Sequence, residues 1–189
     1  MMMRRGILFA PFLLAGCGFL SSKPSTFYSL DRIPPQSPVA VVRGLPIGVD
    51  VVLPPGLNRK ELVVRQANHQ LEVRGREQWT TTLQPLVLHT LAFDLAARLP
   101  EGMVILPGQS QPDGGMRSLD VVVEELAAGP DHNVVLDARW TMRESGRADV
   151  TQREHIVIDI PSLDSANVAT GMSSAIATLA DHIAGQLRL

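Results

Sequence analysis

Among the 189 residues there is a single cysteine, Cys17, and its neighbours give it a definite chemistry. It closes the run Leu14-Ala15-Gly16-Cys17, after a cationic start (Arg4, Arg5) and an apolar stretch over residues 6–15. A short basic segment, a short apolar core and small residues before the cut are the pattern of a secretory signal peptide. Leu, two small residues and Cys match the bacterial lipobox, in which the thiol is diacylglycerated and the chain is then cleaved before it. A spanning helix needs about 20 apolar residues, and this stretch ends at Leu20. A short uncleaved anchor with an incidental Cys is the competing reading; the sole Cys standing where a lipobox requires it favours lipidation. The expectation is a signal peptide over 1–16, a lipidated Cys with a polar tether over 17–25, and one domain over 26–189. No cofactor is expected beyond the covalent diacylglycerol and N-acyl lipid on Cys17. Several acyl chains hold a protein stably where one holds it marginally. Gly18 follows the Cys, not the Asp that commonly retains lipoproteins in the inner membrane. That favours the periplasmic face of an outer membrane.

The remaining residues that could do chemistry do not assemble into a motif. His69, His89, His132, His155 and His182 are scattered, and no two lie within one helical turn. They read as solvated or structural side chains, with no metal site expected. Asp120, Glu124 and Glu125 could supply paired carboxylates for acid–base work; on a half-exposed strand they read better as a solvated face that blunts an edge. A Gly-rich phosphate loop with Lys-Ser/Thr, GxSxG and HExxH are all absent, so the chain is read as no enzyme. Arg59, Lys60, Arg65, Arg74 and Arg76 make the middle of the chain locally basic, suited to lipid phosphates, an acidic partner or plain solvation. Overall, 17 Lys+Arg against 19 Asp+Glu and 4% aromatics exclude a general nucleic-acid binder. A mean hydropathy of +0.11 owes part of its excess to the signal segment, whose removal takes Arg4 and Arg5 and leaves a more acidic mature chain.

These residues must be carried by elements that the hydrophobic periodicity predicts. Strands are expected over 26–30 and 47–53, and a hairpin over 61–66 and 70–74 around Ala67-Asn68-His69, with Asn suited to positive φ. A helix is expected over 81–99, capped by a hydroxyl from 80–82 and ended by Pro100, with Leu83, Leu86, Val87, Leu91 and Leu95 as its apolar face. Thr90, Asp94 and Arg98 follow at four-residue steps and predict a wet stripe with an Asp94–Arg98 pair. After a short strand over 103–106, three strands follow over 118–124, 133–143 and 148–160, the second being the cleanest period-2 segment. A last helix starts after Pro161, capped by Ser162 or Asp164. Its small residues Ala169, Gly171 and Ala175 suit close packing on the sheet better than a docking groove. One dry and one wet sheet face predict an α+β fold, a mostly antiparallel sheet with two long helices on one face, in a single domain.

The chain resembles the ABC-type transport auxiliary lipoprotein component family, which is MCE-associated and outer-membrane. The resemblance is carried by Phe27-Tyr28-Ser29-Leu30 behind the lipobox and by Leu53-Pro54 followed by Asn58-Arg59 and the Val63-Val64-Arg65 strand. Trp79 ahead of a Leu-rich helix, and Asp120-Val121-Val122-Val123 with Leu136-Asp137-Ala138-Arg139-Trp140, continue it. It implies a lipid-anchored periplasmic adaptor, without catalysis, that docks the MCE component of an ABC-type lipid transport system at the outer membrane. Implied partners are the MCE protein and outer-membrane lipid, with no nucleic acid; homo-oligomerisation is left open. Arg59 and Arg65 are the charged candidates for partner contact, and Trp79 and Trp140 are expected in the core. The alternatives are a periplasmic lipid carrier, which needs an apolar cavity of several hundred Å³, and an envelope structural or assembly lipoprotein without a transporter partner; a hydrolase ranks last.

Overall fold

The computed structural model describes residues 24–35 and 43–187; the lipobox residues Leu14, Ala15 and Gly16 and the anchor Cys17 lie outside the described residues. In chain order the elements are β1 (Thr26–Tyr28), β2 (Ile47–Val52), β3 (Glu61–Arg65), β4 (Leu71–Trp79), α1 (Leu83–Arg98), β5 (Val104–Ile105), β6 (Arg117–Gly129), β7 (Asn133–Arg143), β8 (Val150–Asp159) and α2 (Ser165–Gln186). They form an α+β domain with an open eight-stranded sheet.

The 13-residue strand β6 is the spine of that sheet. One edge pairs antiparallel with β7 from Ser118↔Arg143 to Gly129↔Asn133, and β7 pairs antiparallel with β8. The other edge of β6 is shared. β2 lies parallel to it from Ile47↔Arg117 to Val52↔Val122, and β3 joins it at Val64↔Ala128. β4 returns antiparallel on β3, with β1 parallel on β4 and β5 parallel on β2. The long ladders are antiparallel, as a sheet with one solvated face requires. The parallel joins of β2 with β5 and β6, and of β3 with β6, link strands on either side of α1 in the chain.

Alternation puts Leu119, Val121 and Val123 of β6, and Val134, Leu136, Ala138, Trp140 and Met142 of β7, on one buried face. β6 runs five residues past the predicted segment because a bulge between Val123 and Glu125 absorbs Glu124. Two neighbouring residues then oppose one, and Leu126 returns to the buried face. The hairpin turn falls on Ala67–His69 as expected, with Asn68 at φ 64° and His69 at φ 65°. β4 runs on to Trp79, so that Trp closes a strand and does not open the helix.

Both helices pack on the buried face, α2 over β7 and β8 and α1 over β2, touching each other side by side. Asp164 caps α2, its Oδ1 accepting from Asn167 N at 2.9 Å. A Cβ on Gly171 would stand 2.6 Å from Ile160 Cγ2 and 2.7 Å from Val134 Cγ2, so the small-residue stripe serves close packing on the sheet. Trp79 and Trp140 are both core residues.

One expectation is overturned. Thr90, Asp94 and Arg98 are not a wet stripe; each is at most 3% exposed. The segment after β1 lies across this face of α1. Ile33 N donates to Asp94 Oδ1 at 3.0 Å, and Arg98 Nη1 donates to Ile33 O at 3.1 Å and to Asp94 O at 3.0 Å. Arg98 pairs with Asp181 on α2, not with the Asp94 side chain. Asp94 Oδ2 has no partner among the described residues. Burial pushes the Asp94 carboxyl up to about 6, against the opposing pull of the Ile33 N–H and of Arg98.

Candidate functional site

With both helices on one face, the opposite face of the sheet is open among the described residues. On the β6–β8 half, outward residues pair across strands. Arg143 meets Asp120 and Asp149, Arg139 Nη2 meets Glu124 Oε1 at 2.9 Å, and His155 Nδ1 meets Asp137 Oδ1 at 2.6 Å. Asp120, Glu124 and Glu125 are therefore not a free acid–base set. The predicted solvated face is present, but β6 lies in the middle of the sheet, so these carboxylates blunt no edge. On this half the sheet ends at β8, which pairs with β7 alone among the described residues.

The histidines are dispersed. His182 Nδ1 lies 2.8 Å from Glu154 Oε2, whose other oxygen accepts from Trp140 Nε1 at 3.2 Å; His89 contacts Arg32. His69 and His132 occupy turns at positive φ. Among the described residues no three His, Cys, Asp or Glu side chains stand close enough to hold a metal ion.

Val52, Val122 and Val157 are exposed on the open face as well, and the β1–β4–β3 half carries the larger apolar side chains. Phe27, Leu71 and Val73 point outward at 60%, 61% and 45% exposure. Beside them the sheet has a gap. β2 leaves β6 at Val122 and β3 joins it only at Ala128, with the β6 bulge in between. An apolar slot of about 100 Å³ opens there, reaching inward past Leu57, Leu71 and Leu126 to Trp79, Leu83 and Met172. Ligand pockets run to about 300–1,000 Å³, and an engineered cavity of about 150 Å³ takes benzene. A slot of this size admits one small apolar group and not an acyl chain.

The loop over residues 54–60 roofs the slot and is pinned at its base. Asn58 Oδ1 accepts from Gln84 N at 3.1 Å, capping α1 where Thr82 makes no side-chain cap, and Gln84 Oε1 accepts from Leu53 N at 3.1 Å. Residue 58 of the Asn-Arg motif is thus a long-range helix cap. Arg59 Nε pairs with Glu61 Oε2 at 3.0 Å, and Arg65 Nη1 with Glu125 Oε1 at 2.8 Å. The Glu61 carboxyl sits below its ordinary range, held by a backbone N–H and then by Arg59. Glu61 and Arg65 line the slot, so the two candidate arginines are brought to one rim, each with a carboxylate partner. Periodicity points to neither the slot nor the exposed corner; both follow from which strand pairs with which. The only local signal was apolar Leu71 and Val73 on the face of a hairpin that also carries charge.

Three comparisons bear on identity. The family model described as the ABC-type transport auxiliary lipoprotein component matches residues 28–184. No curated protein sequence matches the chain. Among solved structures, the crystal structure of an uncharacterized protein is similar at TM-score 0.71 and 16% identity, over 87% of this chain and 99% of that one. A Xanthomonas campestris protein is similar at TM-score 0.68 and 12% identity, over 86% and 94%. A PelC dodecamer from Paraburkholderia phytofirmans aligns at TM-score 0.44 and 14% identity, over 81% and 96%. At these identities the first two structures speak for the fold alone, while the family model spans β2 to α2 and nearly the whole described domain. The chain belongs to the ABC-type transport auxiliary lipoprotein component family.

Proposed function

We propose that this protein is a lipid-anchored, non-catalytic adaptor that docks the MCE component of an ABC-type lipid transport system at the periplasmic face of the outer membrane. The observation that carries the reading is the family match over residues 28–184, which makes the chain an auxiliary transport component. Three features agree with an adaptor. Among the described residues no helix covers one face of the sheet, and the outward carboxylates of Asp120, Glu124 and Glu125 are engaged in cross-strand pairs. The third is β8, a ten-residue edge strand open to pairing with a partner strand.

The mechanism is tethering. An acylated Cys17 confines the domain to a surface and raises its effective concentration for a partner that reaches that surface. A lipid-carrier role is less well supported, because the enclosed slot holds about 100 Å³ and the larger apolar concavity, about 360 Å³ between residues 32–35 and α1, lies open at the surface. The deciding experiment is co-purification of the full-length lipoprotein with the MCE protein in mild detergent, with and without cross-linking. Capture of that protein supports the adaptor. Failure of capture under both conditions, with phospholipid retained by the domain itself, would overturn it in favour of the carrier.

A further inference from the structure

We propose that the β1–β4–β3 corner of the open sheet face rests directly on the lipid surface to which Cys17 anchors the chain. This rests on the reading of Cys17 as the anchor and adds a second, non-covalent contact to it. The register puts the apolar residues of the corner on one side. Phe27 is level with Gln78 and Gln78 with Glu61, while Val73 faces Val63 and Leu71 faces Arg65, all on the face away from the helices. Single exposed apolar residues are ordinary, but Phe27 and Leu71 at 60% and 61% and Val73 at 45% stand exposed on the same side of this corner, and Leu71 also lines the apolar slot.

Charge separates this corner from the rest of the face. The outward arginines of β7 and β8, Arg139, Arg143 and Arg153, all have carboxylate partners. Lys60, immediately before β3, is exposed and makes no ion pair with a described residue; Arg76, within β4, is also exposed but lines the groove toward the start of α2. An unpaired Lys60, whose carbonyl accepts from Trp79 N at the end of β4 beside β1, suits a lipid phosphate above an acyl boundary, where amphipathic surfaces bury their apolar groups about 5–10 Å deep.

Covalent geometry supplies the third argument. Pro24, the first described residue, is seven positions after Cys17, so the chain reaches at most about 25 Å from the anchor to the start of the domain. β1 is at one end of the strand order and β8 at the other, five strand spacings or roughly 24 Å away. An anchored chain therefore keeps β1 within about 25 Å of the bilayer. With this corner down, the β8 edge and the ion-paired half of the face stay clear for a protein partner.

The test uses the full lipidated protein in vesicles of phosphatidylethanolamine and phosphatidylglycerol. Leu71→Cys and, as the control at the far edge, Val157→Cys are each labelled with an environment-sensitive fluorophore, and the mass of the same sample reports acylation of Cys17. The expected result is a blue shift at position 71 and its quenching by lipids spin-labelled near the headgroup, with neither at position 157. Phe27→Ser with Lys60→Glu should abolish the shift at 71 without releasing the protein from the vesicles. An acylated sample whose two labels respond alike overturns the contact and leaves the anchor standing. A shift at 71 that persists in detergent without lipid and grows with protein concentration assigns the corner to a second copy and also overturns it. Absence of acyl groups on Cys17 overturns the anchor, and the inference with it.

Discussion

Arg98 of α1 grips Asp181 of α2 through two hydrogen bonds, Nε to Oδ1 at 2.7 Å and Nη2 to Oδ2 at 3.0 Å, while its third nitrogen holds the backbone of Ile33 and of its own helix. One guanidinium thus ties both helices to the segment that follows β1. The Asp181 side chain is 42% exposed and the Arg98 side chain 3%, so the buried partner is the cation. Removing Asp181 leaves that cation without its carboxylate. Asp181→Ala should destabilise the fold by about 3 kcal/mol. Arg98→Met combined with Asp181→Leu should cost less than the single change, because the buried charge goes too. Urea denaturation of both variants checks the ordering.

Asp94 makes stability depend on pH in the direction opposite to a salt-bridged carboxylate. Its folded value of about 6 stands above the ordinary 3.8, so the folded state binds the proton more tightly than the unfolded chain. The associated stability is fully present below about 3.8 and is lost as pH rises through about 6. The native protein should therefore lose on the order of 2 kcal/mol relative to Asp94→Asn between those values. Paired denaturation curves from pH 3.5 to 7.5 measure the difference; a flat difference would contradict it.

Gly171 tests the packing of α2 on the sheet. Alanine is the better helix former by about 1 kcal/mol. Its Cβ would, however, meet Ile160 and Val134 at 2.6 and 2.7 Å. Gly171→Ala should still lower stability, by about 1–3 kcal/mol, and Val134→Ala in the same chain should recover part of that loss. Thermal unfolding of the two variants distinguishes packing from propensity.

Arg59 and Arg65 can be reversed with little harm to the fold. Their pairs with Glu61 and Glu125 are half exposed, and such pairs contribute about 0–1 kcal/mol. Arg59→Glu and Arg65→Glu should fold normally and, under the adaptor reading, reduce capture of the MCE partner. Normal folding with undiminished capture would remove the two arginines from the interface.

Cys17 is the simplest test of the anchor. Cys17→Ala should leave the protein unlabelled by radioactive palmitate and should release it from the membrane fraction. Continued labelling would sink the lipobox reading.

Features that depend on the chain's own neighbours were legible in the sequence. The period-2 run of β7 is observed over 133–143, the hairpin turn falls on 67–69, and Asp164 caps α2. The pattern Leu14-Ala15-Gly16-Cys17 is likewise local, and the family resemblance rested on such short ordered pieces. Side-chain type and spacing determine these because the interactions that make them span only a few residues. The polar stripe of α1 could not be read the same way. Thr90, Asp94 and Arg98 have the spacing of a solvated face, and only the segment at Ile33 and the carboxylate of Asp181, distant in sequence, bury it. The slot and the exposed corner at Phe27 and Leu71 follow the same rule. They exist because β2 and β3 share one edge of β6 and leave a gap between them, and strand order is settled by the packing of the whole sheet, not by any stretch within it.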